Sequence, residues 1–167
     1  MDSLSAVQAF FGTQQKISKD IIQFVKQIKK RAPKNLDSIV HDLHDQTFDS
    51  IDCLDCANCC KSISPGVKDV DIERLSKFLK VKPSELVSEH FVIDSDGDYV
   101  FKNQPCPFLM PDNYCLVYEA RPKACREYPH TDRRRFAQLL QLSQKNMEIC
   151  PAVYSIMNEL KNTLNNG

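Results

Sequence analysis

Glycine is scarce in this chain, with four residues in 167, and none of them builds the glycine-rich turn after a strand that cradles a nucleotide. An excess of one charge is missing too. The 22 basic residues face 22 acidic ones, so total charge gives no reason to expect nucleic acid or a membrane as partner. No apolar run approaches the roughly 18 residues that span a bilayer. The opening Met1-Asp2-Ser3-Leu4-Ser5 lacks the basic and apolar regions of a secretory leader. Internal repeats and low-complexity linkers are absent as well. These absences point to a cytoplasmic, globular chain.

What is present is ordinary except for its sulfur. Hydrophobic residues make up 42% and charged residues 26%, and a chain of this length can bury roughly two-thirds of its surface on folding. Residues 1–50 carry two helical runs, Ile17, Ile21, Phe24, Val25 and Ile28, closed by Pro33, and then Leu36, Ile39, Val40 and Leu43. They read as an antiparallel pair of helices. Residues 51–130 hold seven of the eight cysteines. Within them Asp69 to Leu79 reads as a helix, with Ile72, Leu75, Phe78 and Leu79 on one face and acids at its positive end. A short helix opens at Pro83 and runs to about His90. Val92-Ile93 and Tyr99-Val100-Phe101 then flank Asp96-Gly97, a two-residue hairpin signal. From Gln104 to Thr131 prolines 105, 107, 111, 122 and 129 deny the backbone a full ladder of hydrogen bonds, so metal cross-links are the natural support. Residues 131–167 return to helix, with Pro151 in a first turn and Val153, Ile156, Met157 and Leu160 as a buried stripe. The expected fold is mainly α, a small single domain over residues 1–167. An irregular cysteine- and proline-rich metal-binding centre and one short β-hairpin interrupt the helices.

The cysteines fall as Cys53-x2-Cys56-x2-Cys59-Cys60, then Cys106, Cys115, Cys125 and Cys150. Short x2 spacings let thiolates turn around one ion while the intervening N–H groups face sulfur. A disulfide scaffold suits smaller secreted chains, and a thioredoxin-like dithiol needs one x2 pair in a βαβ context. Cys106 or Cys150 taken singly could be an ordinary buried thiol, but a cluster of four within eight residues is a ligand pattern. All eight are therefore candidate metal ligands, in one or two sites. The run Cys-x2-Cys-x2-Cys and the two Cys-Pro steps resemble the ligand runs of [4Fe–4S] proteins, although Cys60 follows Cys59 without the usual spacer. Zn²⁺ is the other candidate. Adjacent Cys59 and Cys60 are expected to point apart. Four thiolates leave either centre with a net charge of about −2, so Arg121 and Arg126, with Lys61 and Lys123, are candidate cations beside the sulfurs.

These motifs, with Cys106-Pro107-Phe108-Leu109, Cys115-Leu116-Val117-Tyr118-Glu119, Arg121-Pro122 and Cys125-Arg126-Glu127-Tyr128-Pro129, resemble the YkgJ-type cysteine-cluster family. The family is described as zinc- or iron-chelating, and a similar cluster occurs in flagellin lysine N-methylase. The resemblance covers about residues 51–129 and implies metal chelation. Family members commonly carry glycine after the second cysteine, where this chain has Ala57, so a somewhat different turn is expected there.

Other candidates read more plainly. His130 suits a turn as well as a ligand role, and His41 and His44 fall on a polar helix side with Asp42 and Asp45. Asp94, Asp96 and Asp98 surround a turn, since an EF-hand would need glutamate where Pro105 stands. Arg133-Arg134-Arg135 reads as a solvated face. The leading functional expectation is a metal-binding carrier or sensor of accessory type, with a protein as a further possible partner. One alternative is an iron–sulfur enzyme, either a redox protein or a methyltransferase component. A zinc-stapled interaction module is the other.

Overall fold

The computed structural model describes residues 2–12 and 17–165. Its helices are α1 (Ser3–Gly12), α2 (Lys19–Lys30), α3 (Leu36–Phe48), α4 (Asn58–Ser62), α5 (Asp69–Leu79) and α6 (Pro83–His90), followed after a hairpin by α7 (Lys123–Glu127), α8 (Leu140–Asn146) and α9 (Pro151–Asn165). Strands β1 (Phe91–Ile93) and β2 (Tyr99–Phe101) form the hairpin. Short 3-10 turns occupy Cys53–Asp55, Tyr118–Ala120 and Phe136–Gln138. The protein is mainly α, as the periodicity indicates. No described helix is long and apolar enough to cross a membrane. Packing divides the chain into two units, residues 1–56 with 129–167, and residues 57–128.

The first unit is organised by α9. Buried Ala152, Val153, Ile156, Met157 and Leu160 make an apolar stripe two residues wide, enough to meet several helices. All three N-terminal helices pack on it, α3 most extensively and α2 together with α8. The expected α2–α3 pair is thus replaced by two helices sharing a third. Ile21, Phe24, Val25, Leu36, Val40, Phe136 and Leu140 complete that core. Ser18 caps α2, its Oγ accepting the Ile21 N–H at 3.3 Å. The polar side of α3 also fastens a loop. Asp37 accepts the N–H groups of Arg135 and Phe136 at 2.7 and 2.8 Å. His41 Nε2 lies 3.2 Å from the Arg133 carbonyl oxygen, and His44 Nδ1 lies 2.7 Å from Thr131 Oγ1. The Arg133–Arg135 backbone is therefore anchored, and Arg135 takes a left-handed φ of 60°.

The second unit packs Val67, Ile72, Leu75, Leu86, Phe91, Phe101, Phe108, Val117 and Ala120 into one cluster. Helices α5 and α6 have the bounds that the sequence indicates. Phe78 departs from expectation at 46% exposed, because the buried side of α5 runs through Asp71, Ile72, Leu75 and Ser76. The hairpin pairs Phe91 with Phe101, Val92 with Val100 and Ile93 with Tyr99. Its loop is longer than a two-residue turn and covers residues 94–98, with Gly97 at φ +82°. Asp94 Oδ1 closes it by accepting the N–H groups of Asp96 and Asp98 at 2.9 and 3.0 Å. Asp98 pairs with Lys68. The carboxylates of Asp94 and Asp98 are thus engaged in shaping the turn.

At the start of α5 lies a buried carboxylate. Asp71 is 1% exposed and accepts from the Lys68 N–H at 3.2 Å, the Lys123 N–H at 3.1 Å and the Arg74 guanidinium. Arg74 in turn donates to the carbonyl oxygens of Arg121 at 2.7 Å and Ala120 at 3.3 Å. Helix α5 and the segment leading into α7 are thereby joined by one ion pair. Burial opposes the Asp71 charge, but Arg74 and the two backbone N–H groups outweigh it and hold the carboxyl below its ordinary value. A depressed carboxyl contributes stability that is present above its unfolded value of about 3.9 and is lost as pH falls through the folded value. Asp71→Ala strands Arg74 and should cost about 3 kcal/mol in urea unfolding at neutral pH. Asp71→Asn should flatten the loss of stability below about pH 5. Unfolding curves across that range check both outcomes.

Candidate metal centre

All eight cysteines are thiols in the structure. Five belong to the second unit, and four of these come from separate pieces of chain. Cys60 sits on α4, and its carbonyl oxygen accepts the Cys106 N–H at 2.8 Å. Cys115 forms an antiparallel bridge with Leu109. Cys125 lies on α7, behind the Asp71–Arg74 anchor. Three of these thiols feel the charge of others in the group. Cys106 is opposed by Cys60 and Cys115, Cys115 by Cys60, and Cys125 by Cys106, Cys60 and Cys115.

Burial and mutual repulsion set their acidities. Burial, reinforced by the neighbouring sulfurs, pushes Cys106 up to about 11 and Cys125 up to about 12, and raises Cys115 too. Cys60 moves the other way. The Cys59 thiol, whose sulfur is 3.9 Å away, donates to it; burial opposes this, and Arg121 and Lys61 add positive charge, leaving it at about 7. Arg121 also favours the charged forms of Cys115 and Cys125. Its guanidinium lies 3.5 Å from the Tyr118 ring centroid, and its Nε donates to the Tyr118 carbonyl oxygen at 2.8 Å. Arg126 is exposed on α7.

Local backbone explains the orientation of the sulfurs. In Cys106-Pro107-Phe108-Leu109 proline has no N–H, and the Phe108 and Leu109 N–H groups face the Cys106 sulfur. Cys150-Pro151-Ala152-Val153 repeats the arrangement in the first unit, with Ala152 and Val153 N–H groups facing Cys150. Such donors favour thiolate over thiol. Ala57 adopts φ 48°, so the left-handed turn that glycine would give before α4 is kept by alanine, at some local strain. Cys59 and Cys60 also differ from expectation, for their sulfurs approach each other. His130 occupies a left-handed turn at φ 69° in the first unit.

The second unit supplies residue types that a thiophilic metal takes, with Cys60, Cys106, Cys115 and Cys125, backbone N–H groups directed at Cys106 and Cys115, and Arg121 as a neighbouring cation. Among the described residues no three His, Cys, Asp or Glu side chains stand at coordinating geometry as they lie, so a metal would have to draw the sulfurs inward. The Asp71–Arg74 anchor that positions this segment escaped sequence reasoning. Its trace was an Asp three residues before an Arg at a helix start, and nothing in that pattern names Ala120, Arg121 or Lys123 as its targets.

Residues 52–151 match a family model named CxxCxxCC and described as a putative zinc- or iron-chelating domain. That span includes all eight cysteines. No curated protein and no solved structure matches the chain.

The acidities give a direct test on metal-free protein. Iodoacetamide at pH 7–8 should modify Cys60 well before Cys106 or Cys125, because the thiolate is the nucleophile. Peptide mass mapping against time reads the order. Arg121→Leu should slow the Cys60 reaction at fixed pH by removing a nearby positive charge.

Proposed function

Because the chain belongs to the CxxCxxCC family of zinc- or iron-chelating domains, we propose that it is a metal-binding protein of accessory type, a carrier or sensor, whose principal site is Cys60, Cys106, Cys115 and Cys125. The observation that supports this reading is the convergence within one unit of half-buried thiols from four segments, with Cys106 hydrogen-bonded to the Cys60 carbonyl oxygen at 2.8 Å, Cys115 bridged to Leu109 just beyond Cys106, and Cys125 on the segment that Asp71 anchors. Without a cation Cys106, Cys115 and Cys125 resist ionisation, and with one the four would become a set of thiolate ligands. The four-sulfur complement suits Zn²⁺ and a [4Fe–4S] cluster, and the Cys-Pro step at Cys106 leans the reading toward iron–sulfur. Arg121 would offset the negative charge of the loaded site. Bound metal would cross-link a proline-rich stretch poor in backbone pairing and, as a cluster, would also accept or give an electron. A reducing cytoplasm is the compartment in which these thiols would stay available.

A second reading, the zinc-stapled interaction module, is favoured by the surface around Cys115. Met110, Tyr114, Leu116 and Tyr118 are 40, 53, 53 and 52% exposed, a concentration of apolar and aromatic side chains suited to a protein partner.

Metal and sulfide analysis, with a visible spectrum, on protein purified without oxygen and without a metal-affinity step tests the proposal. Iron with sulfide and a band near ~400 nm establishes the cluster form, while zinc without colour favours the module. Cys125→Ser should abolish binding at this site, and Arg121→Leu should weaken it by about 10–100-fold. Metal-free wild-type protein that folds stably with all eight thiols reactive overturns the reading.

A further inference from the structure

We propose that the basic surface formed by the end of α2, the α2–α3 connection and the Arg133–Arg135 loop binds the phosphate backbone of double-stranded nucleic acid without reading its sequence. The neutral total charge conceals this surface, because the charges are segregated along the chain. Residues 26–34 hold five basic residues and no acid, and Arg133–Arg135 adds three more. All of them belong to the first unit and none is part of the proposed metal site, so their role does not depend on bound metal.

Contacts at the start of α3 bring the two runs together. Asp37, three residues beyond Lys34, accepts the N–H groups of Arg135 and Phe136 at 2.7 and 2.8 Å. The turn at Phe136–Gln138 then packs against both α2 and α3. The Arg134 charge also acts on Asp37, which agrees with that nearness. The arginine loop is held by its backbone, so all three of its side chains stay exposed. The five basic residues of 26–34 are exposed as well. Among the described residues no carboxylate forms a salt bridge with Lys30, Arg31, Lys34, Arg134 or Arg135. Asp37, the acid in their midst, has both oxygens bonded to backbone N–H groups.

The helix dipole accounts for part of this charge only. Lys29 and Lys30 stand in the last turn of α2, where cations are favoured. Arg31, Lys34 and the three arginines lie beyond that helix and need another reason. Among the described residues no large apolar side chain of residues 17–48 or 129–138 is exposed. A surface that docks on a membrane adds apolar side chains to enter the lipid. Protein interfaces are enriched in aromatics and depleted in lysine, and single strands need aromatic platforms for their bases. A duplex presents phosphate on its outer face and asks for none of these. Arginine forks can donate two bonds to one phosphate, while lysines act as point charges beside it. Such contacts fix position and carry no sequence information.

Fluorescence anisotropy of the full chain under reducing conditions tests the inference, with labelled RNA and DNA duplexes of one mixed sequence, about 16 bp long. Both duplexes should bind comparably. With about four phosphates engaged, affinity should fall roughly 100-fold between about 50 and 200 mM salt. Lys30→Gln combined with Arg134→Gln should lower the slope of log affinity against log salt by about two. Lys77→Gln combined with Lys82→Gln makes the same change of net charge in the second unit, and should leave affinity and slope as in wild type. All four positions are exposed, and circular dichroism should be unchanged in both proteins. Absence of binding by wild type at about 50 mM salt overturns the inference. Equal losses in the two double variants, or binding confined to one duplex type or one sequence, overturn it as well. Tighter binding to single strands or to phosphatidylserine–phosphatidylcholine vesicles, or displacement of the duplex by polyglutamate of equal charge, would assign the surface to another partner and overturn it too.

Discussion

The ion pair between buried Asp71 and Arg74 fixes the segment of the second unit that leads to Cys125. Helix α5 is the longest regular element there, and it is held by ordinary apolar packing. The stretch from Gln104 to Tyr128 has little regular pairing of its own. Asp71 and Arg74 reach across to three closely spaced points of that stretch, the carbonyls of Ala120 and Arg121 and the N–H of Lys123. A position fixed by these bonds sets both where Arg121 stands and where α7 begins. Cys125 follows two residues later.

This anchoring bears on the energetics of the thiols. Cys106, Cys115 and Cys125, raised by burial and by neighbouring sulfurs, are a locally unfavourable arrangement, tolerated because packing and the ion pair hold the segments in place. The same tension explains the contrast within the set. Cys60 has Cys59, Lys61 and Arg121 on its side and ionises most readily, whereas Cys125, the most deeply shielded of the second unit's four, resists. In the proposed site such a gradient would make Cys60 the first point of attachment for a cation, and the remaining thiols would then ionise beside a positive charge.

Much of the helical framework was legible in the sequence. Helices α5 and α6 and the start of α9 carry their own punctuation in Pro83, Pro151 and a clean apolar period, and local signals suffice to place them. The partnership of α3 with α9 was not legible, because a stripe records that a face is buried and not against what. Ala57 shows a similar limit. Its identity argued for an altered turn, yet the surrounding chain imposes the left-handed conformation and alanine accepts the strain. Of the sulfurs, the pattern marked all eight as candidate ligands and left their division open. Their grouping by unit depends on contacts between segments tens of residues apart, and spacing alone carries no such information.

The order of the pieces along the chain sets an order of events during synthesis. Residues 57–128 are contiguous, whereas the first unit is assembled from both ends of the sequence. Helices α2 and α3 leave the ribosome with their apolar stripes complete, but the surface they cover, α9, begins at Pro151, about one hundred residues later. At bacterial-to-eukaryotic elongation rates of about 5–20 residues per second, that is a wait of roughly 5–20 s. In this interval the inserted segment can collapse, and its thiols can meet a cation, while the N-terminal stripes still need shielding by a chaperone or by each other. Their transient pairing would be a staging arrangement on the way to the native one.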